Sequence, residues 1–180
     1  MPGVGASLLQ LLLAVTFLIM PAIAYRYGAS AQAAAEAEVA RQGFPASILA
    51  KNKVKFTERG VETVLPVAIA LFLVVLASLN LAGNEVGRIM SWIFQPVILV
   101  VGGLVTAAQV FDVRYLTSAF RKSGDQALRS INVKAFVDAA VRAFPAGFRS
   151  LVAARFVLTT FGSVLVIVLL AAPAANAYFQ

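Results

Sequence analysis

The residue types that could do chemistry gather on one side of the apolar segments of the chain. Basic and acidic side chains precede the second apolar segment, and a similar mixture follows the third. Such clusters could hold an anionic ligand, such as a lipid phosphate or a thiol-tripeptide carboxylate, because ammonium and guanidinium groups bind these oxygens. The candidate ligand- or lipid-binding residues are Lys51, Lys53, Lys55, Arg59, Glu62, Arg114, Tyr115, Arg121 and Lys122.

Several classes of site are excluded by composition. The chain has no Cys and no His, so it has no disulfide, thiolate nucleophile, Cys/His zinc site, bis-His haem or Ser-His-Asp triad. We therefore assign no catalytic residue, expect no metal site and no cofactor, and favour a non-enzymatic role.

The elements that position these charges are membrane helices. Of the 180 residues, 61% are hydrophobic and 13% charged, which is outside the range of soluble domains. Four apolar segments reach the roughly 20 residues needed to cross a bilayer, and each must be helical because hydrocarbon cannot satisfy open backbone groups. The sequence predicts one all-α domain over residues 1–175, with spans at 7–24, 61–83, 89–111 and 156–175.

The charge distribution predicts an orientation. Six basic residues lie in the loop 25–60 and seven in the loop 112–150, whereas the link between spans two and three holds only Arg88. By the positive-inside rule we expect both long loops in the cytoplasm and both termini outside, in the inner membrane of a cell. Ala22-Ile23-Ala24 resembles a signal-peptidase site, but no basic residue precedes the apolar run, so we expect no cleavage.

The loops carry two predicted helices. An Ala/Glu-rich stretch predicts a helix over 31–41. In the second loop, Ser123 and Gln126 form a capping-box pattern, and apolar residues recur at helical spacing, which predicts an amphipathic helix over about 123–144. Its apolar face lies on the membrane, packs against the first-loop helix or docks a protein partner. The candidate docking residues are Leu128, Ile131, Phe136 and Phe144.

Polar residues within the spans and the last residues of the chain are not assigned to a functional site. Polar side chains such as Gln95 and Ser163 are expected to hydrogen-bond between helices. Arg155 is placed just outside the fourth span. The last residues resemble a protease-tag site, and residues 176–180 are interpreted as a tag remnant.

Two short motifs resemble known families. Glu62-Thr63-Val64-Leu65-Pro66 resembles the Glu-x-x-x-Pro element of the glutathione-dependent, four-helix MAPEG membrane proteins. The chain departs from that family at Arg59, where Asn is typical, and at Gly103-Leu104, where a ligand-binding Arg is expected. Gly43-Phe44-Pro45, followed by a Glu-containing second helix, is similar to DoxX-like four-helix proteins, which are associated with redox complexes.

These observations lead to two functional hypotheses. The favoured one is a non-catalytic accessory or scaffold subunit of a larger membrane complex, or an anionic-lipid-binding protein. The alternative is a membrane enzyme or carrier for a lipophilic substrate, MAPEG-like or DoxX-like, using Glu62, Arg114 and Tyr115. Expected partners are anionic inner-leaflet lipids and a protein partner or a second copy. Nucleic acid is not expected, because the positive-inside bias accounts for the net charge of +7.

Overall fold

The protein is helical over the part of the chain that can be described. The computed structural model describes residues 2–57 and 60–179, with only the backbone of Val61 and Glu62. Four helical segments are long and apolar enough to cross a membrane: Pro2–Arg41, Thr63–Leu81, Glu85–Val110 and Phe148–Ala171. The all-α class is thereby confirmed, and the segments are compatible with a multi-pass membrane protein.

The elements follow one another with short turns between them. Their bounds are α1 (Pro2–Arg41), α2 (Ser47–Lys51), α3 (Val61–Leu81), α4 (Glu85–Val97), α5 (Gly103–Val110), α6 (Asp112–Lys122), α7 (Gln126–Ser130), α8 (Val133–Arg142), α9 (Phe148–Val157), α10 (Ser163–Ala171) and α11 (Pro173–Asn176). A π-helical turn, Ile98–Gly102, joins α4 to α5, and a second, Leu158–Gly162, joins α9 to α10.

The chain divides into two compact units. The first unit comprises Met1–Ile19, Thr63–Val110 and Leu151–Gln180, and the second comprises Met20–Glu62 and Phe111–Ser150. The first unit therefore holds most of the apolar segments. The second holds thirteen of the fifteen basic residues of the sequence.

The first unit packs through small and branched apolar side chains. Leu13 and Phe17 of α1 form one buried cluster with Ala70 and Leu73 of α3. Many large apolar side chains of the first unit remain uncovered, and Leu104 of α5 is 70% exposed. An apolar outer surface of this kind suits lipid rather than water.

The two π-helical turns lie side by side in the first unit. The turn at Ile98–Gly102 begins two residues after Pro96, which has no backbone N–H to continue the α-helical hydrogen bonds. A Cβ on Gly102 would lie 2.8 Å from Thr159 Cγ2 in the other turn. Glycine is therefore needed here for the close approach of the two helices.

The second unit is built around Phe136, which is fully buried. Its core combines Ala31, Ala35 and Val39 of α1 with Leu49 of α2 and apolar residues of α6, α7 and α8. The predicted helix over 31–41 is part of the single 40-residue helix α1. No proline interrupts the chain between the predicted span and the Ala/Glu-rich stretch, so the helix continues through both.

The segment predicted as one amphipathic helix over 123–144 contains two shorter helices. The cap of α7 is Asp125, whose Oδ1 accepts a hydrogen bond from the Ala127 N–H at 2.9 Å, rather than Ser123. Ile131 is extended, and the Asn132 side chain caps α8 by accepting from the Ala135 N–H at 3.1 Å. A second cap signal inside the segment therefore starts a new helix.

Candidate functional site

Helix α6, which is not among the predicted helices, holds the four ligand-binding candidates of the second loop. Asp112 lies in its first turn, and Asp112 Oδ1 accepts a hydrogen bond from the Val113 N–H at 2.6 Å. Arg121 and Lys122 lie in its last turn. The two basic residues stabilise the helix, because cations favour its C-terminal end.

The two faces of α6 differ sharply. Phe120 is buried in the core of the second unit, and Val113 and Leu116 pack against that core. On the opposite side Arg114, Arg121 and Lys122 are exposed, and Tyr115 is 66% exposed. The helix thus turns three cations and one aromatic ring outward, and we call these four residues the α6 basic face.

The lysines of the first loop lie on and after α2. Lys51 ends that helix, Lys53 adopts a left-handed backbone conformation with φ of 57°, and Lys55 follows. All three are exposed. Ile48 and Leu49 of α2 share the core that also holds Phe120, so α2 and α6 are elements of one compact unit.

Two candidates cannot be placed. Arg59 and the side chain of Glu62 lie outside the described residues. Whether Glu62 joins Arg114 and Tyr115, as the enzyme hypothesis requires, is therefore left as a prediction.

The predicted docking face is covered by the chain itself. Leu128, Ile131 and Phe136 are buried in the core of the second unit, and Phe144 is half-buried against it. Of the three placements that the sequence allows for this face, the structure shows packing against the chain itself, including the first-loop helix, so Leu128, Ile131 and Phe136 are not exposed to a partner or to the bilayer. Their helical spacing reflects intramolecular packing, which is the commonest use of an amphipathic helix.

Two carboxyl groups of the second loop, those of Asp112 and Asp138, have pKa values displaced in opposite directions. Burial raises the pKa of Asp112, against the opposing effects of its hydrogen bond with Val113 and the charge of Arg149. The ammonium of Lys134 and the guanidinium of Arg149 hold the pKa of Asp138 below its ordinary value. Asp138 is therefore anchored as a carboxylate between two cations.

A buried arginine in the first unit is not apparent from the sequence. Arg155 is only 5% exposed, its guanidinium lies 4.5 Å from the centroid of the Phe17 ring, and Nη1 is 3.3 Å from Gln109 Oε1. Its position at the edge of the apolar run suggests an interfacial residue. The neighbours on α1 and α5 that bury it are invisible in the local sequence.

A buried polar network also joins all four long segments of the first unit. Asn80 Nδ2 donates to Gln10 Oε1 at 3.0 Å and to Ser91 Oγ at 2.8 Å, and Gln95 Nε2 donates to Ser163 Oγ at 2.9 Å. Gln10 Nε2 completes the network by donating to Ser91 Oγ at 3.0 Å and to Gln95 Oε1 at 3.3 Å. These bonds are the helix-to-helix contacts that polar residues in spans are expected to make.

Known proteins supply no further guide to this site. Among the described residues, no three acidic side chains come together as metal ligands would. No protein-family model matches the chain, and neither a curated protein nor a solved structure matches it.

Proposed function

We propose that the protein is a non-catalytic multi-pass subunit of a cell inner membrane, and that its second unit binds the anionic bilayer surface. The observation that carries this proposal is the α6 basic face. Helix α6 begins two residues after Val110, the end of the third candidate span, and it exposes Arg114, Tyr115, Arg121 and Lys122 while its other side packs into a core.

The physical basis is electrostatic attraction at the headgroup level. A basic residue close to an anionic leaflet contributes on the order of 1 kcal/mol, and tyrosine favours the membrane interface. Lys51 at the end of α2 and Lys53 directly after it add two further exposed cations in the same unit. In a bilayer, the attraction would hold the second unit against the cytoplasmic leaflet and leave other surfaces to a complex partner.

Lipid enrichment around the protein tests this role. The chain would be extracted with its native lipids in polymer nanodiscs, and the ratio of phosphatidylglycerol to zwitterionic lipid measured by mass spectrometry. We expect enrichment around the wild type and its loss when Arg114, Arg121 and Lys122 are all changed to Gln. The charge-preserving variant Arg114→Lys with Arg121→Lys should keep it, whereas equal lipid ratios in all three proteins would contradict the proposal.

The proposed orientation can be tested because the chain has no cysteine. Single substitutions Ala82→Cys, in the link before α4, and Ser118→Cys, on α6, give two reporters at exposed positions. A membrane-impermeant maleimide should label Ala82→Cys in intact cells and Ser118→Cys only after permeabilisation. The opposite pattern would invert the topology and remove the anionic inner leaflet as the ligand of α6.

A second candidate function is a membrane enzyme or carrier for a lipophilic substrate. One observation favours it, namely the burial of Arg155 inside the fourth apolar segment, since ionisable groups within a span commonly serve a substrate. Organic extraction of purified protein followed by mass spectrometry would test it. A lipophilic anion that co-purifies with the wild type and is lost from Arg155→Met would support this role, and an extract containing only bulk lipid would count against it.

A further inference from the structure

The turn between α8 and α9 brings two arginines to one groove. Gly147 adopts φ of +88° and the Phe148 N–H donates to the Pro145 carbonyl at 3.1 Å, which reverses the chain. As a result the rings of Phe144 and Phe148 stack with centroids 4.2 Å apart. Arg142 and Arg149 flank this turn and line a groove of about 520 Å³, which we call the Arg142 groove.

The charged side chains of the Arg142 groove differ in whether they form ion pairs. Asp138, which also lines it, accepts a hydrogen bond from Lys134 Nζ at 2.6 Å and is ion-paired with Arg149. Arg142 is exposed and makes no hydrogen bond or ion pair within the described part of the chain. Glu38 also attracts Arg142 through its charge, but it is ion-paired with Arg41 and accepts no hydrogen bond from Arg142. The planar guanidinium of Arg142 therefore keeps all its donors available to an anion.

The position of the groove along the chain points to a lipid as the source of that anion. Phe148 and Arg149 open the fourth candidate span, Phe148–Ala171, whose 24 residues are longer than the hydrocarbon thickness requires. In a bilayer the first turn of this helix therefore lies at the level of the headgroups. Aromatic rings beside the unengaged guanidinium of Arg142 match the interface between acyl chain and phosphate.

We propose that the Arg142 groove binds the phosphate of a single anionic lipid, with Arg142 as the main ligand and Arg149 shared between Asp138 and the lipid. This inference rests on the proposed function for the class of ligand. It adds a stoichiometric lipid site to the diffuse attraction of the α6 basic face. A site of this kind retains its lipid when detergent replaces the bilayer, whereas the diffuse attraction to an anionic bilayer surface is lost.

Two substitutions that change the charge of the groove in opposite directions test this proposal. We expect native mass spectrometry in mild detergent to find one phosphatidylglycerol retained per chain and no phosphatidylcholine. Arg142→Gln should weaken phosphatidylglycerol retention at least ten-fold, whereas Asp138→Asn should strengthen it by releasing Lys134 and Arg149. The matched controls Arg129→Gln and Asp125→Asn make the same changes in net charge outside the groove and should alter retention less than two-fold.

The outcomes separate the groove from the wider function. Equal effects of the groove variants and their controls, or no retained lipid, would overturn the groove even if nanodisc enrichment persists. Displacement of phosphatidylglycerol by millimolar inorganic phosphate would overturn the lipid as its ligand in favour of a free anion. Loss of nanodisc enrichment on altering the α6 basic face, with phosphatidylglycerol still retained in detergent, would support both proposals.

Discussion

Asn80 donates from Nδ2 to Gln10 Oε1 at 3.0 Å, which joins the second long apolar segment to the first through two fully buried side chains. Neither side chain is charged, and both come from positions that local sequence marks only as polar residues in an apolar run. Their pairing is the central contact of the network that also holds Ser91, Gln95 and Ser163.

Substitution of Asn80 by Leu should therefore destabilise the first unit. The change removes two hydrogen bonds and leaves buried acceptors on Gln10 and Ser91 with fewer donors, so we expect a loss of about 1–2 kcal/mol in the free energy of unfolding. Unfolding by sodium dodecyl sulfate, followed by circular dichroism, would measure it. Ser78→Ala is the control, because Ser78 is exposed and bonds only to Val74 of its own helix. Equal losses in the two variants would show that the network adds no stability.

The contact between Arg155 and Phe17 should be measurable as a coupling. A desolvated cation–π pair contributes about 2 kcal/mol, and Arg155 lies over the Phe17 ring within the buried part of the first unit. We expect Arg155→Met and Phe17→Leu to be non-additive by about 1–2 kcal/mol in a double-mutant cycle. Additive losses would mean that the ring serves only as an apolar neighbour.

Gly28→Ala should disturb the second unit through the backbone. A Cβ at position 28 would lie 2.6 Å from the Phe56 carbonyl oxygen, and Phe56 is held nearby by its N–H bond to Gln32 Oε1 at 2.9 Å. Overpacking against main chain costs about 1–3 kcal/mol, so the melting temperature should fall. Gly124→Ala is the control, since a Cβ there meets nothing within 4 Å. Unchanged melting of Gly28→Ala would refute the close approach.

Asp112→Asn should stabilise the protein at neutral pH. Burial raises the pKa of Asp112 in the folded state, so the protonated form favours folding and the ionised form opposes it. The stabilising contribution of the proton is complete below the ordinary aspartate pKa and is lost as pH rises through the folded-state value. We expect the variant to melt above the wild type at pH 7 and the difference to vanish in acid. A difference independent of pH would contradict this account.

The sequence predicts the four apolar helices because the requirement for backbone hydrogen bonds in hydrocarbon leaves one solution for each long apolar run. The sequence does not predict features that depend on contacts with residues distant in the chain. The apolar residues Leu128, Ile131 and Phe136 fall on one side of the chain whether residues 123–144 form one helix or two, so their spacing cannot reveal the break at Asn132. Nor can it reveal that α1 and α2 cover them.

For the charged residues too, the sequence predicts the residue types at a site but not how they are packed. The α6 basic face contains candidates that the sequence identifies by type, but their separation from Val113, Leu116 and Phe120 depends on a helix that begins directly after a span. Arg155 is misplaced for a related reason. A charge next to an apolar run is usually an interfacial residue, and only the contacts with Phe17 and Gln109 show it to be buried.

The polar network also imposes an order on biosynthesis. Asn80 follows Gln10 by 70 residues, and a ribosome adding about 5–20 residues per second needs roughly 4–14 s to make that stretch. During this interval Gln10 is without its native partner, and Gln95 waits in turn for Ser163, which lies 68 residues later. The bundle is thus completed by its last helix, and a chain that stalls before α10 would expose an amide for insertion chaperones or membrane proteases to recognise.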